Sequence, residues 1–209
     1  MNFRHEYISC LAQELSDEII VSNTGITQHE LSHLADRDAN LYAPGMGLVC
    51  QVALGLAIAL PERKVIALDG DGSLLLNLGI LPVLGHENPA NLTVIVFDNG
   101  CYESVGPNPT LSFFGADFEA MARGAGVKNS KTFTRPDDFL LGLRAALHEP
   151  GLYFFVIKVQ PGGLSVPPKR MSGMENKFRF VHYIEKELGK VILSPPTQTP
   201  RSAKGKIES

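Results

Sequence analysis

The sequence predicts an α/β fold: an open, mostly parallel sheet with helices on both faces. Three observations carry that prediction. Val65–Leu68 and Leu92–Phe97 are short β-branched apolar runs that end abruptly in Asp, Asn and Gly, as buried strands do. The segment between them, Ser73 to His86, is Leu-rich and helix-compatible, so strand, helix and strand follow in turn. Such a crossover makes the two strands parallel and sets both carboxyl ends on one edge of the sheet. Asp71 and Asn99 therefore emerge on the same edge, where open α/β sheets bind ligands.

The remaining elements fall into place around that unit. Asn2 to Leu15 has helical spacing, with Phe3, Tyr7, Leu11 and Leu15 on one face. Ile19-Ile20-Val21 reads as a first strand ending at Asn23-Thr24-Gly25 on the functional edge. Val49–Leu60 reads as a buried helix whose small residues (Ala53, Gly55, Ala57, Ala59) admit another backbone closely. Phe118–Gly126 and Pro136–His148 read as helices, Tyr153–Val159 as a last buried strand, and Phe178–Leu188 as a terminal helix. With 209 residues and 44% apolar content, one compact domain over residues 1–190 is expected. The polar, Pro-rich stretch 194–209 reads as a disordered tail.

Composition excludes several classes. A net charge of −3 argues against a nucleic-acid surface. The longest apolar run, Val52 to Leu60, is too short to span a bilayer, and no signal peptide opens the chain. Cys10, Cys50 and Cys101 show neither a disulfide framework nor a metal nest, so a reducing, cytoplasmic setting is the default.

The turn Gly70-Asp71-Gly72-Ser73 leads straight from strand to helix, and its outward N–H groups suit a phosphate. A Mg²⁺ ion bridging protein and diphosphate needs only one or two carboxylates besides phosphate and water. Asp71, the Asn99 amide oxygen and a carbonyl just beyond it would supply such a site. The turn by itself reads equally as a ligand-free junction. An EF-hand reading fails because Leu74 and Ile80 stand where Gly and Glu belong. A dinucleotide fingerprint fails because Leu75 stands where its third Gly belongs. His29-Glu30-Leu31-Ser32-His33 matches the zinc-protease pattern but lacks an obvious third ligand, and a short solvated helix is the plainer reading. Met46 reads as core filling and Lys169-Arg170 as a charged loop, with contact to an anionic substrate or cofactor the sharper reading of the pair.

Gly70 to Ser73, followed at this interval by Asp98-Asn99, resembles the diphosphate-binding motif GDG…NN of thiamine diphosphate enzymes. The stretches GMGLVCQVALGLAIALPERKVIALDGDGSLLLNLG and NLTVIVFDNGCYES are similar to the sulfopyruvate decarboxylase β subunit and phosphonopyruvate decarboxylase family, from about Ile19 to Ala125. The resemblance implies thiamine diphosphate and Mg²⁺ as cofactors. Asp71, Asn99 and the backbone carbonyl of Cys101 map onto the metal ligands. Gly45, Met46, Gly47, Gly70, Gly72, Ser73 and Tyr102 map onto the cofactor side, with Met46 as the prop for a bent cofactor; Thr24 and Gly25 lie nearby. The chain departs from the pattern in three places. Asp98 replaces the first Asn, Gly45 a Ser, and Asn108 a Gln.

In that family a Glu on a separate domain activates the cofactor. No catalytic residue is therefore expected on this chain. The resemblance implies an α subunit carrying a pyrimidine-binding domain, a hetero-oligomer, and a small anionic 2-oxo acid substrate. Two other readings stay open: the β subunit of a 2-oxo acid:acceptor oxidoreductase, and a non-catalytic cofactor-binding subunit.

Overall fold

The computed structural model of the protein describes residues 1–42, 44–106 and 108–193. The 194–209 stretch, read above as disordered, lies outside the described residues. The main sheet contains β1 (Ile19–Ser22), β2 (Asn40–Tyr42), β3 (Val65–Gly70), β4 (Leu92–Asp98), β7 (Asn129–Phe133) and β8 (Tyr153–Lys158). Their order is β2-β1-β3-β4-β8-β7, and every neighbouring pair is parallel. A small antiparallel hairpin, β5 (Cys101–Tyr102) and β6 (Asn108–Pro109), follows β4.

Helices cover both faces, which is why the central strands carry near-continuous apolar runs rather than alternating ones. Ile19, Val21, Val65, Ala67, Val94 and Val96 point to one side. There they meet α3 (Val49–Ala59), α5 (Ile80–Glu87), α6 (Phe118–Gly124) and α8 (Gly173–Leu188) through Ala53, Leu84, Phe118 and Phe180. Ile20, Ile66, Leu68, Ile95 and Ile157 point to the other side. There α1 (Arg4–Glu14), α2 (Ile26–Leu34) and α7 (Pro136–His148) supply Tyr7, Leu31 and Phe139. Each such side chain, fully withdrawn from water, contributes about 1.5–3 kcal/mol before conformational entropy is counted.

Four elements differ from the sequence reading. The predicted Ser73–His86 helix is two pieces, α4 (Asp71–Leu75) and α5. Between them the N–H groups of Leu76, Asn77 and Ile80 bond three residues back, tightening the chain out of α geometry. Strands β2 and β7 were not anticipated; both are short edge strands with polar content, and β7 carries only Ser130 and Phe133 inward. Helix α8 begins five residues earlier than read. Ser172 Oγ accepts from Glu175 N at 3.1 Å, and the Glu175 carboxylate in turn accepts from Ser172 N at 2.6 Å.

Two helical glycines make opposite predictions. A Cβ on Gly85 would lie 1.9 Å from the Ala125 carbonyl oxygen, whereas one on Gly55 meets nothing within 4 Å. Gly85→Ala is expected to destabilise the fold by about 1–3 kcal/mol, and Gly55→Ala to stabilise it by up to about 1 kcal/mol. Equilibrium denaturation of the two variants checks the contrast.

Candidate functional site

The chain leaves β1 toward α2 on one face of the sheet and leaves β3 toward α4 and α5 on the other. Adjacent strands whose connections diverge open a crevice at their carboxyl ends. The principal cleft lies there. Asn23 and Thr24 line it from the end of β1, and Gly70 to Ser73 from the end of β3. Asn99, Cys101 and Tyr102 close it from the end of β4, and Met46 reaches in from the loop before α3. Asp71 and Asn99 thus share one cleft.

Asp71 is almost wholly buried, and two hydroxyls hold its Oδ2: Thr110 Oγ1 at 2.6 Å and Ser112 Oγ at 3.0 Å. Ser112 Oγ also lies 2.7 Å from Asp98 Oδ1 and 2.9 Å from Thr110 Oγ1. Four close oxygen contacts are served by two hydroxyl protons, and neither hydroxyl brings Asp71 a positive charge. Burial accordingly pushes the Asp71 carboxyl above its usual range, the Thr110 hydroxyl opposing that shift. Asp98, opposite Lys158 in register, forms an ion pair with that lysine. A proton or a cation beside Asp71 relieves the deficit.

Asn99 folds back on its own loop: Oδ1 accepts from Cys101 N at 3.0 Å, while Nδ2 donates to Glu103 Oε2 at 2.9 Å. The donor set along this side of the cleft is a carboxylate, an amide oxygen and backbone carbonyls. Hard oxygen ligands of that kind fit Mg²⁺, and thiolate or imidazole are not required.

The Gly45–Gly47 turn is bolted to the same place. Gly47 has φ +72° and donates to Ser73 Oγ at 2.9 Å, while Asn77 Nδ2 donates to Gly47 O at 3.3 Å. Ser73 Oγ is thus engaged within the protein. Met46 is 42% exposed and faces the cleft, so it is not core filling. Gly72 cannot carry a side chain, because a Cβ would come within 2.5 Å of the Tyr102 ring. At Gly70 a Cβ would make only an ordinary contact, 3.4 Å from Asn23 Nδ2.

The zinc reading of His29 to His33 does not survive. Glu30 is fully buried, ion-paired with Arg4 Nε at 2.8 Å and bonded by Leu164 N at 3.0 Å. It is a structural anion and not a free base. Among the described residues no three His, Cys, Asp or Glu side chains gather to hold a metal. Lys169 bonds Asp36 at 2.6 Å and lies over the Tyr42 ring, away from the cleft. Sequence reasoning missed Arg4, Glu103, Thr110, Ser112 and Lys158, which only the folded chain brings together.

Residues 24–157 match the family described as thiamine pyrophosphate enzyme, C-terminal TPP binding domain. The chain belongs to this family of thiamine pyrophosphate enzymes. Within it, the chain is 35% identical over 184 residues to the sulfopyruvate decarboxylase subunit beta of Methanococcus maripaludis, covering 88% of this chain and 98% of that protein. It is 38% identical to the sulfopyruvate decarboxylase of Methanosarcina acetivorans, over 85% of this chain and 46% of that protein. It is 35% identical to the phosphonopyruvate decarboxylase of Streptomyces viridochromogenes, over 93% of this chain and 48% of that protein. The chain therefore spans about half the length of these last two relatives. A solved thiamin diphosphate-dependent enzyme from Mycobacterium smegmatis superimposes with a TM-score of 0.68 at 22% identity, over 77% of this chain and 32% of that one. That likeness is one of fold.

Beneath the cleft, burial pushes the Asp69 carboxyl up to about 6, against the nearby Ser73 hydroxyl and the bonds from Gly70 N and Cys50 Sγ. The folded value exceeds the ordinary 3.8, so the neutral form is favoured and its stabilisation is lost as pH rises from about 4 through about 6. Without metal or cofactor, the stability of the native chain relative to Asp69→Asn is expected to fall over that interval by up to about 3 kcal/mol. Denaturation at a series of pH values measures the difference, and a flat difference would contradict it.

Proposed function

We propose that this chain is the diphosphate-binding β subunit of a thiamine diphosphate- and Mg²⁺-dependent decarboxylase that converts an anionic 2-oxo acid of the sulfopyruvate or phosphonopyruvate type to the aldehyde and CO₂. The observation that carries this reading is the convergence of Asp71, Asn99 and the Gly45–Gly47 turn on one cleft at the point where the β1 and β3 connections diverge. The relatives' names supply the reaction and substrate class.

When bound, thiamine diphosphate supplies a nucleophilic carbon for the 2-oxo group and an electron sink for the departing CO₂. This chain's own residues bind and orient. Asp71, the Asn99 amide oxygen and the Cys101 carbonyl hold Mg²⁺, whose charge answers the proton deficit around Asp71. Gly70, Gly72 and Ser73 present backbone to the diphosphate, and Tyr102 walls the turn against Gly72. Met46, exposed in the cleft between Gly45 and Gly47, props the cofactor in its bent form. The Glu that activates the cofactor comes from an α subunit bearing the pyrimidine-binding domain. Coverage of nearly all of a subunit beta, but only about half of the two longer decarboxylase relatives, supports that division of labour. The reducing, cytoplasmic setting rests on three free cysteines; among the described residues no helix is long and apolar enough to cross a membrane.

The chain alone is expected to show no turnover, and co-expression with its α partner to give CO₂ release from sulfopyruvate or phosphonopyruvate without an electron acceptor. Asp71→Ala in the complex is expected to cut kcat/KM by more than the roughly 100-fold that even outer partners of a metal ligand command. Full decarboxylation by the isolated chain, or an undiminished Asp71→Ala complex, would overturn the reading.

A further inference from the structure

We propose that Glu103 is a positioning residue that decides which end of the Asn99 amide meets the metal. An amide offers oxygen on one side and NH₂ on the other, nearly equal in size, and only the oxygen can ligate Mg²⁺. An ionised carboxylate accepts hydrogen bonds and cannot donate them. With Glu103 Oε2 2.9 Å from Nδ2, the NH₂ is turned toward Glu103 and the oxygen toward the opposite side, where Cys101 N–H meets it at 3.0 Å. The reversed amide would set oxygen against carboxylate.

Glu103 is itself clamped. Its Oε1 accepts from Gly162 N, and its Oε2 lies 3.5 Å from Arg4 Nη1. Arg4 is 4% exposed and anchored on the buried Glu30. The clamp therefore ties the loop after β4 to α1, to α2 and to the chain beyond β8. A surface glutamate free to swing would impose no orientation; this one has its position set from two other elements.

The proposal rests on the Mg²⁺–diphosphate reading, and a test on the full chain co-expressed with its α partner separates the two. Mn²⁺ serves as the probe, its free concentration read by electron paramagnetic resonance with thiamine diphosphate in excess and thermal melting run in parallel. Glu103→Gln, which can present either end of its own amide, is expected to weaken Mn²⁺ binding by about 10-fold or more. The double variant Asn99→Asp/Glu103→Gln reverses donor and acceptor, so binding is expected to recover to within a few-fold of the native chain. Asn99→Asp alone sets carboxylate against carboxylate and is expected to bind more weakly than the double variant. The single and double variants that carry Glu103→Gln lose the same contacts to Arg4, so any folding cost cancels between them. Native binding by Glu103→Gln, or Asn99→Asp binding as tightly as the double variant, would overturn the proposal alone. A native complex with the α partner that takes up no Mn²⁺ with thiamine diphosphate would overturn the metal reading and the proposal with it.

Discussion

Parallel pairing of β1, β3 and β4 is the constraint on which the rest of the molecule depends. Those pairings bring three strand ends to one edge, and the strands alternate their apolar side chains into two helix-covered cores. Because the β1 and β3 connections leave on opposite faces, a gap opens between them at the sheet edge. The cleft is a consequence of connectivity. What the local sequence adds is backbone able to enter it: Gly72 where Tyr102 allows no side chain, and Gly47 at positive φ against Ser73.

The electrostatics of that edge explain why a divalent cation belongs in the proposed function. Asp69, Asp71 and Asp98 are all buried there, while Lys158 bonds Asp98 alone. Burial raises the Asp69 and Asp71 carboxyls, which means that the folded chain disfavours their negative charge. A bare diphosphate brought to such an edge meets repulsion. A cation placed between Asp71 and the phosphates reverses the sign of the interaction, and it does so with few protein ligands. Arg4, Glu30 and Glu103 form a second charged group, paired within the protein and used to hold loops in place.

The fold was largely legible because its signals are local and strong. Val65–Leu68 and Leu92–Phe97 are continuous apolar runs with abrupt polar ends, and both are strands that extend one or two residues further. Edge strands β2 and β7 were not legible, since the three-residue run NLY and the mixed run NSKTF look like loop until a neighbour pairs with them. The start of α8 is marked in the sequence by the capping pair Ser172-x-x-Glu175. For the site, the Asp71 and Asn99 placements followed from strand ends alone. Thr110, Ser112, Lys158 and Glu103 did not, because their roles arise from side chains that approach across 4 to 60 positions. The His29–His33 pattern shows the opposite failure: a chemical motif whose Glu30 is consumed by a salt bridge to Arg4, invisible from the motif itself.

Anomalous diffraction from crystals grown with Mn²⁺ and thiamine diphosphate addresses the central claim most directly. The expected result is one metal peak bonded at once to the Asp71 carboxylate, the Asn99 amide oxygen and the cofactor's phosphates. A peak elsewhere, or a diphosphate seated away from the β1–β3 crevice, would contradict it.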